Sequence, residues 1–264
     1  MARSRRSASD VTRLLTAAPD GEKPFAIVLA GHNGSGKSTL WYDKLADQLQ
    51  IPLINADRLT LSILPPPIDS ALRLRPWAAA LRDTDQRWQK LSQDGVQLFM
   101  GLIMDRHMPF AFETVFSYLK KQEDGSYKSK ADTVVALQNA GYFVILLFVG
   151  LTNPELSILR VRTRHLQGGH DVPEEKLRQR FPRTQDAIRL AAPIADRTLM
   201  FDNSRTIDKA FTLVRVQART TVQYDCRDPK FARDQELLDV AEPWLSKVAP
   251  REGADRDPAQ RKSS

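Results

Sequence analysis

Short, wholly apolar runs alternate along the chain with longer stretches in which apolar residues recur every three or four positions. Phe25 to Ala30, Pro52 to Asn55, Phe110 to Glu113, Phe143 to Val149 and Thr198 to Asp202 form the short runs. Continuous hydrophobicity of this kind marks strands buried on both faces, as in a parallel sheet covered by helices. Between them, Thr39 to Leu49 places Leu40, Trp41, Leu45 and Leu49 along one side. Trp88 to Met104 carries Leu91, Val96, Leu98, Phe99, Leu102 and Ile103 at helical spacing. Asn153-Pro154-Glu155 starts another helix and Gly168 stops it. The alternation predicts an α/β domain of three layers around a mostly parallel sheet.

After Asp202 the pattern changes. Phe211 to Gln217 and Thr221 to Asp225 predict an antiparallel β-ribbon, and Gln235 to Val248 an amphipathic closing helix. Leu64 to Asp85, with three prolines at 65–67 and then Leu72, Leu74, Trp77 and Leu81, is too long for a connector. It predicts a helical insertion beside the active site. Lys120 to Lys130, with Gly125, reads as a solvated loop. The boundaries expected are a basic disordered tail over 1–20, one domain over 21–248 and a second disordered tail over 249–264.

Composition narrows the class. With 264 residues, 42% hydrophobic and 27% charged, the chain can bury a core. The single Cys226 excludes an internal disulfide and makes a reducing cytosol the default. No run approaches the roughly 20 apolar residues that span a bilayer. No apolar segment follows Arg3, Arg5 and Arg6 to make a secretory signal. A cytoplasmic protein without membrane contact is expected. The net charge is +7, of which residues 1–13 supply +3 from four basic groups and one acidic group. The mildly basic remainder suits an anionic ligand such as a nucleotide. It lacks the stripe of basic and aromatic residues that tracks a nucleic-acid backbone, so no nucleic-acid partner is expected.

Gly31-His32-Asn33-Gly34-Ser35-Gly36-Lys37-Ser38 fits G-x-x-x-x-G-K-[ST], and Thr39 follows. The motif leaves an apolar strand and opens a helix. Successive backbone N–H groups and a helix N-terminus then point at phosphates, and glycines permit the close approach. Lys37 supplies a mobile charge for the β and γ phosphates of ATP, and the Ser38 hydroxyl is placed to ligate Mg²⁺. His32 is expected to be a tolerated, partly exposed side chain with no catalytic role.

The acceptor must be met at the carboxyl ends of neighbouring strands. Asp57 follows the second strand and Glu113 ends the third. Asp57 is the candidate base that takes the hydroxyl proton of an alcohol acceptor; capping the helix from Arg58 onward is its competing role. Glu113 suits binding Mg²⁺ through water or holding a substrate hydroxyl, against a merely capped strand end. Asp202 reads as the cap of a turn.

Cations provide an independent sign. Arg160 and Arg164 share a helical face with no acidic neighbour at helical spacing, and Arg180 has Lys176 and Arg183 as neighbours. An anion completes such a set, and a planar guanidinium stabilises charge on a transferring phosphoryl group; a solvated basic helix is the bland alternative. Arg178, one turn after Glu174, reads as a surface ion pair. Gly168-Gly169-His170 is a hinge candidate.

The P-loop, Asn55-Ala56-Asp57, Phe-Glu-Thr-Val-Phe-Ser at 112–117, the Arg-Val-x-x-Arg-x-x-x-Gly-Gly-His-x-Val-Pro block at 160–173, Arg180-Phe181 and Phe-Asp-Asn-Ser at 201–204 together resemble the zeta toxin family. The likeness runs from about Phe25 to Ser204. It implies a three-layer P-loop kinase fold that uses ATP and Mg²⁺ to phosphorylate a sugar hydroxyl of a nucleotide sugar, typically UDP-N-acetylglucosamine. A small helical antitoxin is the protein partner it implies. Carried onto matching positions, Gly31, Asn33, Gly34, Ser35, Gly36, Lys37, Ser38 and Thr39 would bind ATP, with Ser38 toward the metal. Asp57 would be the base, with Arg58, Glu113, Thr114 and Ser117 around the acceptor, and Arg164 and Arg180 would grip the triphosphate. His32 stands where many relatives have Pro. The competing readings are the same kinase fold with another acceptor (a nucleotide cofactor, an antibiotic or a nucleic-acid end) and a non-catalytic nucleotide-binding module. Asp57 favours an enzyme, because a mere binder has no use for a base.

Overall fold

Strand β1 (Phe25–Gly31) is buried at every position after Phe25, and a strand with no polar face belongs at the centre of a covered sheet. The computed structural model describes residues 23–68, 73–169, 172–232 and 234–251 and shows that arrangement. The other strands are β2 (Leu53–Ile54), β3 (Phe110–Thr114), β4 (Leu119–Lys121), β5 (Tyr127–Ser129), β6 (Phe143–Gly150), β7 (Arg197–Asp202), β8 (Thr212–Ala218) and β9 (Thr221–Asp225). Seven of them form one sheet in the order β2-β3-β1-β6-β7-β8-β9. The first five in that order run parallel, with Ala26 opposite Phe110 and Phe25 opposite Phe143. Strands β8 and β9 close the far edge as the expected antiparallel ribbon.

Eight helices longer than a single 3-10 turn flank the sheet among the described residues. Lys37–Leu40, Trp41–Leu45 and Ala46–Leu49 run on as one helix, α1, with a π-helical middle. They are followed by α2 (Ala56–Ile63), α3 (Pro76–Asp83), α4 (Gln86–Asp105), α5 (Ala131–Asn139), α6 (Pro154–Leu166), α7 (Glu174–Ala191) and α8 (Gln235–Val248). On one face of the sheet Ala26, Val28, Leu146 and Phe148 pack with residues of α5, α7 and α8, among them Val134, Ile188 and Trp244. On the other, Ile27, Leu29, Ile145 and Leu147 pack with Leu40, Trp41 and Leu45 of α1. The alternation inside β1 thus feeds two cores, and the three-layer expectation holds.

One expectation is corrected here. Residues 120–130 are not a loop but a hairpin, with Leu119 paired to Ser129. The Asp124-Gly125 turn supplies it: Gly125 sits at φ +83° and Asp124 accepts from the Ser126 N–H at 2.9 Å. Its mostly exposed, polar strands are too short to show a period of two. Helix α4 forms as expected, yet Leu91, Leu98, Phe99 and Leu102 are exposed rather than packed. Its main neighbour is α2, with lesser contact to α3 and to the two-residue edge strand β2, and together they leave its outer side uncovered.

The insertion is helical as expected, in α3, with Pro76 at its first position. The expectations for 1–20, for nearly all of 249–264, for 69–72 of the insertion and for His170 of the hinge lie outside the described residues. Among the described residues no helix is long and apolar enough to cross a membrane.

Candidate active site

The chain leaves β1 between β3 and β6, where connections depart to opposite sides and a crevice opens at the carboxyl ends of the strands. Residues 31–36 fill that crevice as a loop ending in α1. Gly36 precedes the helix at φ +90°, a conformation that side chains rarely adopt, and a Cβ there would meet the Asn203 amide nitrogen at 2.7 Å. Gly34, at φ +69°, sits against α6: a Cβ would lie 3.0 Å from the Ser157 carbonyl and 3.1 Å from Cβ of Arg160. Neighbours hold the loop from outside. Ser157 Oγ donates to the Asn33 carbonyl at 2.7 Å, and Asn203 Nδ2 donates to the Ser35 carbonyl at 2.8 Å.

Lys37 is buried and folds back on the loop, its ammonium donating to the carbonyls of His32 at 2.9 Å and Gly31 at 3.2 Å. Burial pushes its pKa down; Glu113 pulls it up, Arg164 pushes it down and Asp57 pulls it up. Glu113 is the hub of the cradle. Its Oε2 accepts from Ser38 Oγ at 2.8 Å and from Asn55 Nδ2 at 2.7 Å, while Oε1 lies 3.9 Å from Lys37 Nζ.

Asn55, which enters the sequence blocks with no role of its own, does two jobs. Its Oδ1 caps α2 by accepting from the Arg58 N–H at 3.2 Å, and its Nδ2 holds Glu113. An asparagine directly between a strand and the first residue of a helix is the signal that points to it. With Asn55 as the cap, Asp57 is released from that duty and lies exposed in the first turn of α2. Its charge acts on both Lys37 and Arg180.

The remaining expected positions divide. Gly31 ends β1, Ser35 is buried and Thr39 is exposed on α1. Arg58 turns along α2 to stack over Tyr42, 4.6 Å from the ring centroid. That pair borders a groove of about 530 Å³ over the sheet edge, lined by Trp41, Leu53, Leu59 and Phe99 among others. Thr114 is held locally, its Oγ1 accepting from the Phe116 N–H at 3.3 Å, and Ser117 is half-buried just beyond.

Arg164 is exposed on α6, and its charge reaches Lys37. Arg180 is half-buried on α7; burial lowers its pKa, Arg183 lowers it further and Asp57 raises it. Arg160 is half-buried too, its pKa lowered by burial and raised by Asp202, so its acidic neighbour comes from β7 rather than from its own helix. Asp202 caps its turn as expected, accepting from the Ser204 N–H at 2.9 Å, and also from Trp244 Nε1 at 3.0 Å. Arg178 pairs with Glu174 at 2.9 Å and with Glu155 at 2.7 Å.

Two supports of the arginine side were not foreseen. Arg82 of α3 donates to the Gly168 carbonyl at 2.7 Å and the Gly169 carbonyl at 3.3 Å, while Asp83 holds its other edge at 2.7 Å. A Cβ on Gly169 would meet Arg164 Cγ at 2.6 Å, so the clasped turn lies against the stem of Arg164. His32 overturns the expectation of partial exposure. It is buried, stacked on Phe181 and edge-on to Phe148, because these rings close over it from α7 and β6. Burial, and then Lys37, push its pKa down to about 3.

A Gly-rich loop between a parallel strand and a helix, with the adjacent strand's carboxylate bonded to the loop's serine, defines a P-loop protein of the kinase fold. The model of the zeta toxin family matches residues 10–209, and the chain belongs to that family. It is similar to the structure of the PezAT chromosomal toxin-antitoxin system of Streptococcus pneumoniae, at 18% identity and a TM-score of 0.50, covering 92% of this chain and 95% of that one. It is also similar to the AvrRxo1-ORF1:-ORF2 structure with ATP, at 15% identity and a TM-score of 0.54 over 90% of this chain and 68% of that one. An uncharacterized protein of Haemophilus influenzae is 26% identical over 156 residues, 59% of this chain and 91% of its own length.

Proposed function

We propose that the protein is an ATP-dependent kinase that transfers the γ-phosphoryl group to a sugar hydroxyl of a nucleotide sugar, UDP-N-acetylglucosamine being the acceptor that family membership suggests. The observation that carries this reading is the joining of Lys37, Ser38 and Asn55 through Glu113, with the charge of Asp57 acting on Lys37 from the acceptor side.

The loop suits a triphosphate. Ser35 Oγ, a hydroxyl that can donate to a phosphate oxygen, is buried without a hydrogen-bond partner among the described residues, and there the Lys37 ammonium is engaged by backbone carbonyls and the more distant Glu113, so it can turn to phosphate oxygens. The donor set also suits Mg²⁺, which is held by few carboxylates together with water and substrate phosphate rather than by an all-protein cage. Ser38 and Glu113 would hold it, and it neutralises phosphate charge when bound. The AvrRxo1-ORF1:-ORF2 relative is a structure with ATP.

In the transfer, the acceptor oxygen forms its bond to the γ-phosphorus as the bond to the bridging oxygen of ADP breaks. The hydroxyl proton passes to the Asp57 carboxylate. Lys37, Arg164 and Arg180 balance the charge on the phosphoryl oxygens, Thr114 and Ser117 line the acceptor side, and Arg58 flanks it. Domain limits of 21–248 and a small helical antitoxin as partner belong to the same proposal; the PezAT relative is part of a toxin-antitoxin system.

The test is incubation with Mg²⁺-ATP and a panel of nucleotide sugars, nucleotide cofactors, antibiotics and oligonucleotides, read by mass spectrometry. A phosphate gained by UDP-N-acetylglucosamine supports the reading. A phosphate gained only by another acceptor refutes the nucleotide-sugar assignment, and slow ATP hydrolysis alone refutes the kinase.

A further inference from the structure

The His32 side chain has no part in the chemistry above, yet it is 2% exposed at the second position of the phosphate loop. Among the described residues neither ring nitrogen has a hydrogen-bond partner, which costs free energy, so the ring's specific contacts are made through its faces and edge. One face does so. The Phe181 ring lies parallel to it, with centroids 3.8 Å apart and planes inclined by 8°, and Phe148 meets it edge-on at 5.7 Å and 74°.

Phe181 directly follows Arg180, and Pro182 follows Phe181 inside α7. Proline carries no N–H, so this turn lacks one backbone hydrogen bond and is set more than others by what its side chains touch. His32, Phe181 and Arg180 line one narrow cleft with Asn33 and Ser157.

We propose that His32 is a positioning residue: its ring, used as a flat plate, holds Phe181 and thereby fixes the neighbouring Arg180 guanidinium over the phosphate loop. The inference rests on the kinase reading for the role of Arg180. It assigns to this chain's histidine a coupling between two elements far apart in sequence, the loop after β1 and the arginine helix. The neutrality of the buried ring beside Lys37 agrees with it.

The experiment measures Mg²⁺-ATP affinity, ATP turnover in the presence of UDP-N-acetylglucosamine and the other acceptors of the panel above, and melting temperature for the full chain and for His32→Gln, His32→Phe, Phe181→Leu, Arg180→Ala and His32→Gln/Arg180→Ala. Misplacing a charge by about 1 Å costs up to ~100-fold in rate. His32→Gln and Phe181→Leu should each lose roughly tenfold in kcat with ATP affinity changed less than about threefold, and His32→Phe, which keeps a flat ring, should recover most of the rate. The double variant should be no slower than Arg180→Ala alone, because the guanidinium being positioned is gone. Losses that multiply in the double variant, or a His32→Phe enzyme as slow as His32→Gln at an unchanged melting temperature, overturn the inference while leaving the kinase reading intact. If the wild-type chain binds Mg²⁺-ATP without turning it over, the kinase reading fails separately and the same cycle is decided on affinity. A wild-type chain that binds no Mg²⁺-ATP overturns both.

Discussion

The two sides of the site are built differently. On the cradle side, Lys37, Ser38, Asn55 and Glu113 sit at the ends of adjacent parallel strands or in the first turns of the helices that follow, with Ser38 and Asn55 hydrogen-bonded to the Glu113 carboxylate at 2.8 and 2.7 Å and Lys37 3.9 Å from it. On the arginine side, Arg164 and Arg180 project from helices and are half-buried or exposed. Their elements are held indirectly, by the Arg82 clasp on Gly168 and Gly169 and by the His32–Phe181 stack. Strand ends give the cradle fixed coordinates; the arginines depend on what their helices rest against. The cradle therefore fails when a ligand atom is removed, whereas the arginine side also fails when a distant prop is removed.

The largest effects are expected in the cradle. Lys37→Ala should abolish both tight nucleotide binding and turnover, measured by calorimetry and steady-state assay. Glu113→Gln keeps the shape but loses the charge that faces Ser38 and Lys37, and turnover should fall by at least ~100-fold in the same assay. A Glu113→Gln enzyme within a few fold of wild type would erase the contrast between the two sides.

Next comes the clasp. Arg82→Ala removes the charged donors from two carbonyls next to Arg164, and kcat should fall by about tenfold, with Arg82→Lys recovering only part because an ammonium lacks the planar fork. Equal rates in the two variants would show that the insertion does not brace the arginine side.

The buried histidine gives a pH effect on stability. Its folded pKa of about 3 lies below the ordinary 6.5, so the unfolded chain binds the extra proton between those values. Stability from this group is whole above about pH 6.5 and declines as pH falls toward 3, with a slope approaching ~1.4 kcal/mol per pH unit. His32→Phe should flatten that part of the denaturation profile. The smallest effect is expected at the exposed Arg178 pair, where Arg178→Ala should leave both melting temperature and kcat unchanged.

The same contrast explains what the sequence made legible. Gly31 to Ser38 are contiguous, and their spacing encodes their geometry, so the loop, the strand before it and the helix after it were readable. Glu113 was readable as a strand-end acid. The role of Asn55 was hidden because Asp57, two residues on, competed for the role of cap, and only the hydrogen bonds show that asparagine caps while its amide reaches Glu113. The burial of His32 depends on Phe148 and Phe181, whose proximity arises only once β6 and α7 are laid against the loop. Arg82 was likewise invisible, since its partners are backbone carbonyls more than 80 residues away. Helix α4 marks another limit: periodicity predicts an apolar face, but nothing local says whether a neighbour covers Leu91, Leu98 and Leu102.

The central claim is that Asp57 works on the acceptor while the loop holds the nucleotide, and Asp57→Asn separates the two. Mg²⁺-ATP affinity should stay within about twofold of wild type while phosphoryl transfer falls by roughly 100- to 10,000-fold, the range that a general base contributes. Transfer at the wild-type rate in that variant would contradict the account.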